Sequence, residues 1–349
     1  LAVALVMACG VATIIIAIGA SRSLEETRSA FYDRYRFGNV FAGAVRAPLS
    51  LRDAIASIPG VNGVELRVVS KVILDIDGMR EPATAMAVSI PESGEPVVNR
   101  LYLRSGRMPV SGRADEIAVT ESFADAHRMA AGTRFRAVMN GKRIALTVTG
   151  IILTPEYIYA LGPGDMVPDQ RRFGVFFMAR PAMAGLFNMG GAFNDVSLRT
   201  VRGTDPDEVI SALDALLKPY GGTGAHDRDG QISHQFLDSE LQQLRAMSAV
   251  IPPIFLFVSA FLVNMILTRL IALEREQIGL MKAVGYTNAA VGWHYTKFSL
   301  AIAVIGIALG AAGGTWLGRE MAVLYGRFFS FPFLVFRQDV DLYLIAAAV

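Results

Sequence analysis

The sequence predicts a membrane protein that combines α-helical spans with one extracytoplasmic α+β domain, a βαβ-type unit with an inserted strand-rich subdomain. Residues 1–20, 247–268 and 298–318 hold no charged side chain, and about 20 apolar residues suffice to cross a bilayer. The 349 residues are 53% hydrophobic and 18% charged, whereas soluble domains are about a quarter charged. Residues 21–245 have an ordinary soluble composition and alternate strand and helix patterns.

Four membrane segments are predicted, at 1–20, 246–272, 298–318 and, as the start of a further span, 341–349. The alternative for the first is a cleaved signal peptide, whose apolar core would be shorter, about 7–15 residues. Pro252 and Pro253 predict a kink in the second span. Because the sequence starts inside one apolar run and ends inside another, we expect a piece of a longer protein.

The third predicted span carries glycines at a spacing of four residues: Gly306, Gly310, Gly314 and Gly318. This spacing places them on one helix face, where a neighbouring backbone is able to approach closely. The alternative is that glycine is common in membrane helices for general reasons. The regular spacing favours a helix-packing surface.

The middle segment, 21–245, is predicted to form a single extracytoplasmic domain. Strands are predicted at 64–76, 116–120, 143–153, 173–179 and 194–201, the last followed by a helix that Asp205 caps and Pro206 starts. A helix at 236–247 leads into the second span. This order predicts an α+β unit that closes from both ends around a strand-rich subdomain at about 91–190.

Motifs for catalysis or cofactor binding are missing from the sequence. It has no P-loop, no H-E-x-x-H and no G-x-S-x-G, so no catalytic residue, metal site or cofactor is predicted for this chain. His226 and His234 lie near acidic residues, but solvated loop histidines are the preferred interpretation over a metal site. One cysteine, Cys9, excludes a disulfide within the chain, and a net charge of +2 gives no case for nucleic acid.

A loop at 155–174 concentrates aromatic, proline and arginine residues, among them Tyr157, Tyr159, Arg171 and Arg172. A contact with a ligand or partner is one interpretation, because loops often carry function. Packing of the aromatic rings over the domain is the preferred one.

The segment 273–297 separates the second and third predicted spans and begins LEREQIGLMKAVGYTN. In a helix, Leu273, Gln277, Leu280 and Val284 form one stripe. Gly285 suits the end of that helix and Thr287 or Asn288 the cap of the next. Four Lys and Arg residues, Arg269, Arg275, Lys282 and Lys297, lie between the uncharged runs 247–268 and 298–318, and 319–340 holds three, a small preference for a cytoplasmic position of the first group. An interfacial helix and a docking surface for a cytoplasmic partner both fit.

The run EREQIGLMKAVGYTNAAV resembles the signature of FtsX/MacB-type ABC transporter permeases, in which E-R-x-x-I-G-x-x-K-A-x-G follows the second span. Residues 103–135 are similar to the outer domain of that superfamily, which has a strand-rich subdomain inserted in a βαβ-like one. The resemblance implies one permease half with an ATPase-docking loop. The loop residues are Glu274, Arg275, Ile278, Gly279, Leu280, Met281, Lys282, Ala283, Gly285 and Tyr286.

By this resemblance, a separate cytoplasmic ABC ATPase subunit binds ATP and Mg, and the chain couples hydrolysis to export or extraction of a hydrophobic or lipid-linked substrate. The implied location is a bacterial-type inner membrane. Membrane lipid, a second permease half or copy, and an extracytoplasmic adaptor are further implied partners. Two alternatives stay open: a relay that activates an outer partner such as a cell-wall hydrolase without transport, and an anchored receptor or adhesion module with no ATPase.

Overall fold

The computed structural model of the chain describes residues 2–162, 164–165, 167–335 and 339–348. Leu1 and Val349, the ends of two predicted spans, and 336–338 of the predicted loop lie outside this description. The chain divides into two compact units. The helical unit comprises Leu1–Thr27, Ser239–Tyr325 and Leu334–Val349, and the α/β unit comprises Arg28–Asp238 and Gly326–Phe333.

The helices and strands are numbered along the chain. The helices are α1 (Ala2–Arg34), α2 (Arg52–Ala56), α3 (Glu121–Ala126), α4 (Arg180–Leu186), α5 (Pro206–Leu217), α6 (Ile232–Leu273), α7 (Arg275–Ala283), α8 (Asn288–Phe328) and α9 (Val340–Ala348). The strands are β1 (Val40–Pro48), β2 (Val61–Arg67), β3 (Val69–Asp75), β4 (Ala83–Ile90), β5 (Tyr102–Gly106), β6 (Glu116–Thr120), β7 (Arg134–Met139), β8 (Lys142–Leu153), β9 (Phe173–Ala179), β10 (Ala192–Thr200) and β11 (Ala225–Asp227).

Among the described residues, three helices are long and apolar enough to cross a membrane: Ala2–Arg34, Ile232–Leu273 and Asn288–Gly326. They cover the described residues of the first three predicted spans and extend beyond them, and the described part of the fourth predicted segment, 341–349, lies in α9. The prediction of a loop over 319–340 is wrong for 319–328, because α8 continues to Phe328. Residues 319–328 include no proline, and Gly318 is buried within the helix rather than ending it. Helix α6 likewise continues across Pro252 and Pro253.

Helix α1 is the most buried of these three helices within the helical unit. Its residues Val11, Ile14 and Ile15 form a core with Leu342 and Ala346 of α9. Many apolar side chains of α1 are therefore buried, whereas α6 and α8 have many exposed apolar side chains.

Three of the four spaced glycines of α8 lie directly against α1. A Cβ added to Gly306 would lie 2.9 Å from Met7 Cβ, and one added to Gly310 would lie 2.7 Å from the Ala8 carbonyl oxygen. A Cβ on Gly314 would lie 3.0 Å from Ala12 Cα. The missing side chains therefore set how closely the two helices approach, and Gly318 is also buried.

The first sheet of the α/β unit has the strand order β11-β1-β10-β2, with antiparallel pairing throughout. Apolar residues of these strands pack with those of α2 and α5 in one core: Ile55, Phe193, Val196, Leu198, Val209 and Leu213. As predicted, α5 begins at Pro206, and the Asp205 side chain accepts a hydrogen bond from the Asp207 backbone N–H at 3.0 Å. This sheet and its helices confirm the α+β class.

The second sheet has the order β5-β8-β6-β9-β4-β3-β7, and β7 also pairs with β8, so the sheet closes on itself. Its core contains Leu74, Ile117, Phe123, Phe176 and Met178. The sheet begins at Val69, earlier than the predicted subdomain boundary near 91. The predicted single strand 64–76 is β2 and β3, which belong to different sheets. The residues of this run favour strands and include no glycine or proline, so the sequence does not reveal the break between β2 and β3.

Candidate functional site

The segment that follows α6 folds as the short helix α7, and its end is built from specific backbone contacts. The Gly285 N–H donates to the Lys282 carbonyl at 3.0 Å, and the Tyr286 N–H donates to the Met281 carbonyl at 3.1 Å. This pair of bonds is a Schellman motif. It requires a positive φ at Gly285, which is +99°, a conformation that residues with a Cβ rarely adopt.

Helix α8 starts directly after this turn. The Thr287 Oγ1 accepts a hydrogen bond from the Ala290 N–H at 3.2 Å, so Thr287 caps the helix that begins at Asn288. The chain thus reverses from α7 into α8 within a few residues, as the sequence predicts from Gly285 and Thr287.

Apolar residues on α7 and directly beside it are exposed. Leu273 is 75% exposed, Leu280 69% and Val284 74%, and Gln277 and Tyr286 are exposed as well. The predicted stripe of Leu273, Gln277, Leu280 and Val284 is thus exposed, but only Gln277 and Leu280 lie within α7, because α6 ends at Leu273 and α7 ends before Val284. We call Leu273, Leu280, Val284 and Tyr286, on and beside this helix, the outer face of α7. Apolar groups so exposed beside charged ones are typical of a protein-binding surface.

The opposite side of α7 packs toward α8. Glu274 and Ile278 are partly buried, and Val291 and Tyr295 of α8 are buried. The Tyr295 hydroxyl donates a hydrogen bond to Glu274 Oε2 at 2.6 Å, the short length expected for a bond to a carboxylate. This hydrogen bond therefore holds Glu274, which lies between α6 and α7, against α8.

The charged residues of α7 stay available to a partner. Arg275, Glu276 and Lys282 are exposed, and no hydrogen bond or ion pair of their side chains to another described residue is found. At Gly279, an added Cβ would meet no described atom within 4 Å. Since Gly279 needs no special φ within α7, the open space around it leaves room for another molecule to approach.

A groove of about 390 Å³ lies beside α7, between the end of α6 and the start of α8. Leu267, Ile271, Ile278 and Val291 give it an apolar lining, and Lys282 stands at its edge. Besides Gly279 and Gly285, which are exposed, the predicted docking residues fall into three groups. Glu274, Ile278 and Met281 lie on the inner side, Leu280 and Tyr286 lie on the outer face, and Arg275, Lys282 and Ala283 are exposed between them.

The loop 155–174 of the α/β unit packs its aromatic residues, which favours the preferred interpretation. Tyr159 stacks on Phe236 with ring centroids 4.6 Å apart and also contacts Phe328 and Phe329. Its N–H donates to Ser233 Oγ at 2.8 Å. Pro163 and Met166 lie outside the described residues.

A buried ionic cluster at the start of this loop was not predicted. The Arg67 guanidinium donates to both Glu156 oxygens, at 2.5 and 2.8 Å, and through Nε to Asp195 Oδ1 at 2.7 Å. Asn99 Nδ2 donates to Glu156 at 2.9 Å. Burial raises the pKa of Asp195, although the charge of Arg67 opposes the rise. The cluster joins β2, β10 and the turn after β8, and residues so distant in sequence carry no common motif.

The two histidines considered for metal binding have other neighbours. His226 stacks on Phe41, with centroids 5.7 Å apart, and His234 Nδ1 lies 3.1 Å from the Tyr32 hydroxyl. Across the described ranges of the chain, no group of three or more His, Cys, Asp or Glu residues is placed to hold a metal ion.

Comparison with family models gives a match over the part of the chain that contains α7. Residues 249–349 match the family model of the FtsX-like permease C-terminal domain. No curated protein matches the sequence.

Solved structures align with the chain at low similarity. The extracellular domain of the noncanonic ABC-type transporter YknZ from Gram-positive bacteria is 12% identical and has a TM-score of 0.36, covering 54% of this chain and 98% of its own. The periplasmic region of MacB from Actinobacillus actinomycetemcomitans is 10% identical and has a TM-score of 0.36, covering 60% of this chain and 95% of its own. Scores this low carry no conclusion about function.

Proposed function

We propose that this chain, whose residues 249–349 form an FtsX-like permease C-terminal domain, is the permease subunit of an ABC transporter and that α7 docks on a separate cytoplasmic ATPase. The observation that carries the proposal is the outer face of α7, an exposed apolar surface beside charged residues without partners in the described chain. Interfaces between proteins combine such an apolar centre with a polar rim.

The contacts around α7 support transmission of movement from this surface. A displacement of α7 acts on α6 through the direct chain connection and on α8 through the hydrogen bond between Tyr295 and Glu274. At the other ends of the same helices, the Tyr325 hydroxyl donates to Glu240 Oε1 at 2.6 Å. Helices α6 and α8 are thus joined near both ends, which favours their moving as a pair.

The proposed transporter exports or extracts a hydrophobic or lipid-linked molecule, and ATP and Mg on the ATPase drive this movement. The chain lies in a bacterial-type inner membrane, with α7 inside and the α/β unit outside. Exposed apolar side chains of α6 and α8, such as Phe257 and Trp316, suit membrane lipid or a second permease copy.

The docking proposal is tested by placing charge on the outer face of α7. We expect Leu280→Asp and Val284→Asp to abolish co-purification of the co-expressed ATPase and the stimulation of its ATP hydrolysis, because a buried carboxylate in an apolar interface costs several kcal/mol. The matched control is Val201→Asp, an exposed valine of the α/β unit. Membrane insertion and thermal unfolding should be unchanged in all three variants.

Retention of the ATPase by both α7 variants would contradict docking through this face. Transport is measured separately, as ATP-dependent release of a fluorescent lipid from proteoliposomes that contain the permease and its ATPase. Stimulation of an outer enzyme without any lipid release would favour the relay over export.

A further inference from the structure

A cavity in the α/β unit gathers positively charged side chains. It has a volume of about 330 Å³ and lies among the end of α1, the connection from β10 to α5, and the turn after β11. Arg199, Arg202 and Arg228 line it, together with Thr204 and Asp33. We call Arg199, Arg202 and Arg228 with their cavity the arginine pocket.

The carboxylates of the arginine pocket neutralise it only in part. Asp33 lies 3.5 Å from an Arg199 nitrogen and 3.9 Å from an Arg202 nitrogen, distances at which an exposed ion pair contributes little. The Asp227 carboxylate accepts hydrogen bonds from the backbone N–H groups of the turn that follows it. Three guanidinium groups thus share two carboxylates, of which Asp227 is engaged by backbone N–H groups and Asp33 is loosely held.

Further positive charge interacts with Arg199 of the pocket. Burial lowers the pKa of Arg36, and the neighbouring charges of Arg199 and Arg100 lower it further. Each of these three side chains has a buried nitrogen without a hydrogen-bond partner within the described part of the chain: Arg36 Nε, Arg100 Nε and Arg199 Nη1. A buried donor without a hydrogen-bond partner costs free energy. An acceptor bound close to these arginines would therefore be favourable.

Arg228 is held rigidly in the pocket. Its Nε donates to the Gly38 carbonyl at 2.7 Å and its Nη2 to the Phe37 carbonyl at 2.9 Å. The guanidinium also lies over the Tyr32 ring, 5.4 Å from the centroid. A side chain fixed in this way loses little conformational entropy when a ligand binds.

We propose that the arginine pocket binds the phosphate group of a ligand. Guanidinium groups match phosphate oxygens with paired, charge-assisted hydrogen bonds, and the Thr204 hydroxyl is a further donor at the same cavity. Phosphate carries more negative charge than the Asp33 carboxylate and displaces it from Arg199 and Arg202. A lipid headgroup and a soluble phosphate compound share this chemistry.

Binding is measured with the full chain in phosphatidylcholine nanodiscs, by titration of inorganic phosphate against sodium chloride at equal ionic strength. Arg199→Gln should weaken phosphate binding about tenfold or more, since it removes a hydrogen bond between charged groups. The highly exposed Arg202 contributes less, and Arg202→Gln should weaken binding about two- to fivefold. Asp33→Asn should strengthen binding, because it removes the competing carboxylate.

The control is Arg143→Gln, an exposed arginine of β8, which should leave the dissociation constant unchanged. Two outcomes would overturn the proposal: no saturable binding above the chloride background, or equal losses in the control and in Arg202→Gln. If Arg199→Gln fails to fold, Arg202→Gln and Asp33→Asn at the surface still decide the question. The same titration in nanodiscs that contain phosphatidylglycerol identifies the source of the phosphate group. If the ligand is a lipid headgroup, phosphatidylglycerol competes and weakens the binding of inorganic phosphate. If the ligand is a soluble compound, the binding of inorganic phosphate is unchanged.

Discussion

Gly310→Ala is the sharpest probe of the contact between α8 and α1. The added Cβ would lie 2.7 Å from both the Ala8 carbonyl oxygen and the Val11 Cβ, well inside the optimal separation of about 3.5–4.0 Å. Since one of these atoms belongs to the backbone, the helices must separate. Overpacking of this kind costs about 1–3 kcal/mol, and the better helix propensity of alanine returns about 0.5–1 kcal/mol.

The chain offers a matched control in Gly313→Ala. It lies in the same helix, but its added Cβ would meet no described atom within 4 Å, so only the propensity gain remains. We therefore expect the free energy of unfolding of Gly310→Ala to fall below that of Gly313→Ala by about 1–3 kcal/mol. Denaturant unfolding of the full chain in micelles measures this difference. Equal stabilities for the two variants would refute the close approach of α8 to α1.

Three further changes test other contacts. A double-mutant cycle with Tyr295→Phe and Glu274→Gln should give a coupling energy of about 1–2 kcal/mol in the free energy of unfolding; purely additive losses would mean that no effective hydrogen bond joins them. The hydrogen bond from Arg107 lowers the pKa of Glu116 from 4.5 to about 2, so its stabilisation is complete above about pH 4.5 and is lost as the pH falls towards 2. Glu116→Gln should then be less stable than wild type near pH 7, and the gap in thermal unfolding temperature should close in acid; a pH-independent gap would contradict this ion pair. Arg67→Leu leaves the buried Glu156 and the partly buried Asp195 carboxylates without their counter-charge and should cost about 3–5 kcal/mol by denaturant unfolding, whereas a loss below about 1 kcal/mol would contradict the buried cluster.

The features that follow from local chemistry could be predicted from the sequence. Long uncharged runs have few alternatives to apolar helices, and Gly285 and Thr287 mark the end of α7 and the start of α8 because a positive φ and an N-cap are local requirements. The helical period predicts one stripe of Leu273, Gln277, Leu280 and Val284, whereas the break at Glu274 leaves Leu273 at the end of α6 and only Gln277 and Leu280 within α7. The exposure of this stripe could not be predicted, because periodicity identifies a face without identifying what covers it.

The features that depend on distant partners could not be predicted. The division between β2 and β3 is a choice of sheet partners that a continuous strand-like sequence leaves open. The bond between Tyr295 and Glu274 and the cluster around Arg67 join side chains whose neighbours appear only in the folded chain. The extension of α8 beyond Gly318 follows from packing that outweighs glycine's low helix propensity.

Site-specific crosslinking from α7 in cells tests the central claim most directly. A photo-crosslinking amino acid replaces Gly279, whose surroundings are open, and, in a control, replaces Val201 of the α/β unit. If α7 docks on a cytoplasmic ATPase, illumination yields an adduct with a P-loop ATPase from position 279 and none from position 201. An ATPase adduct missing at position 279, or present at position 201, would contradict the proposed docking and its orientation.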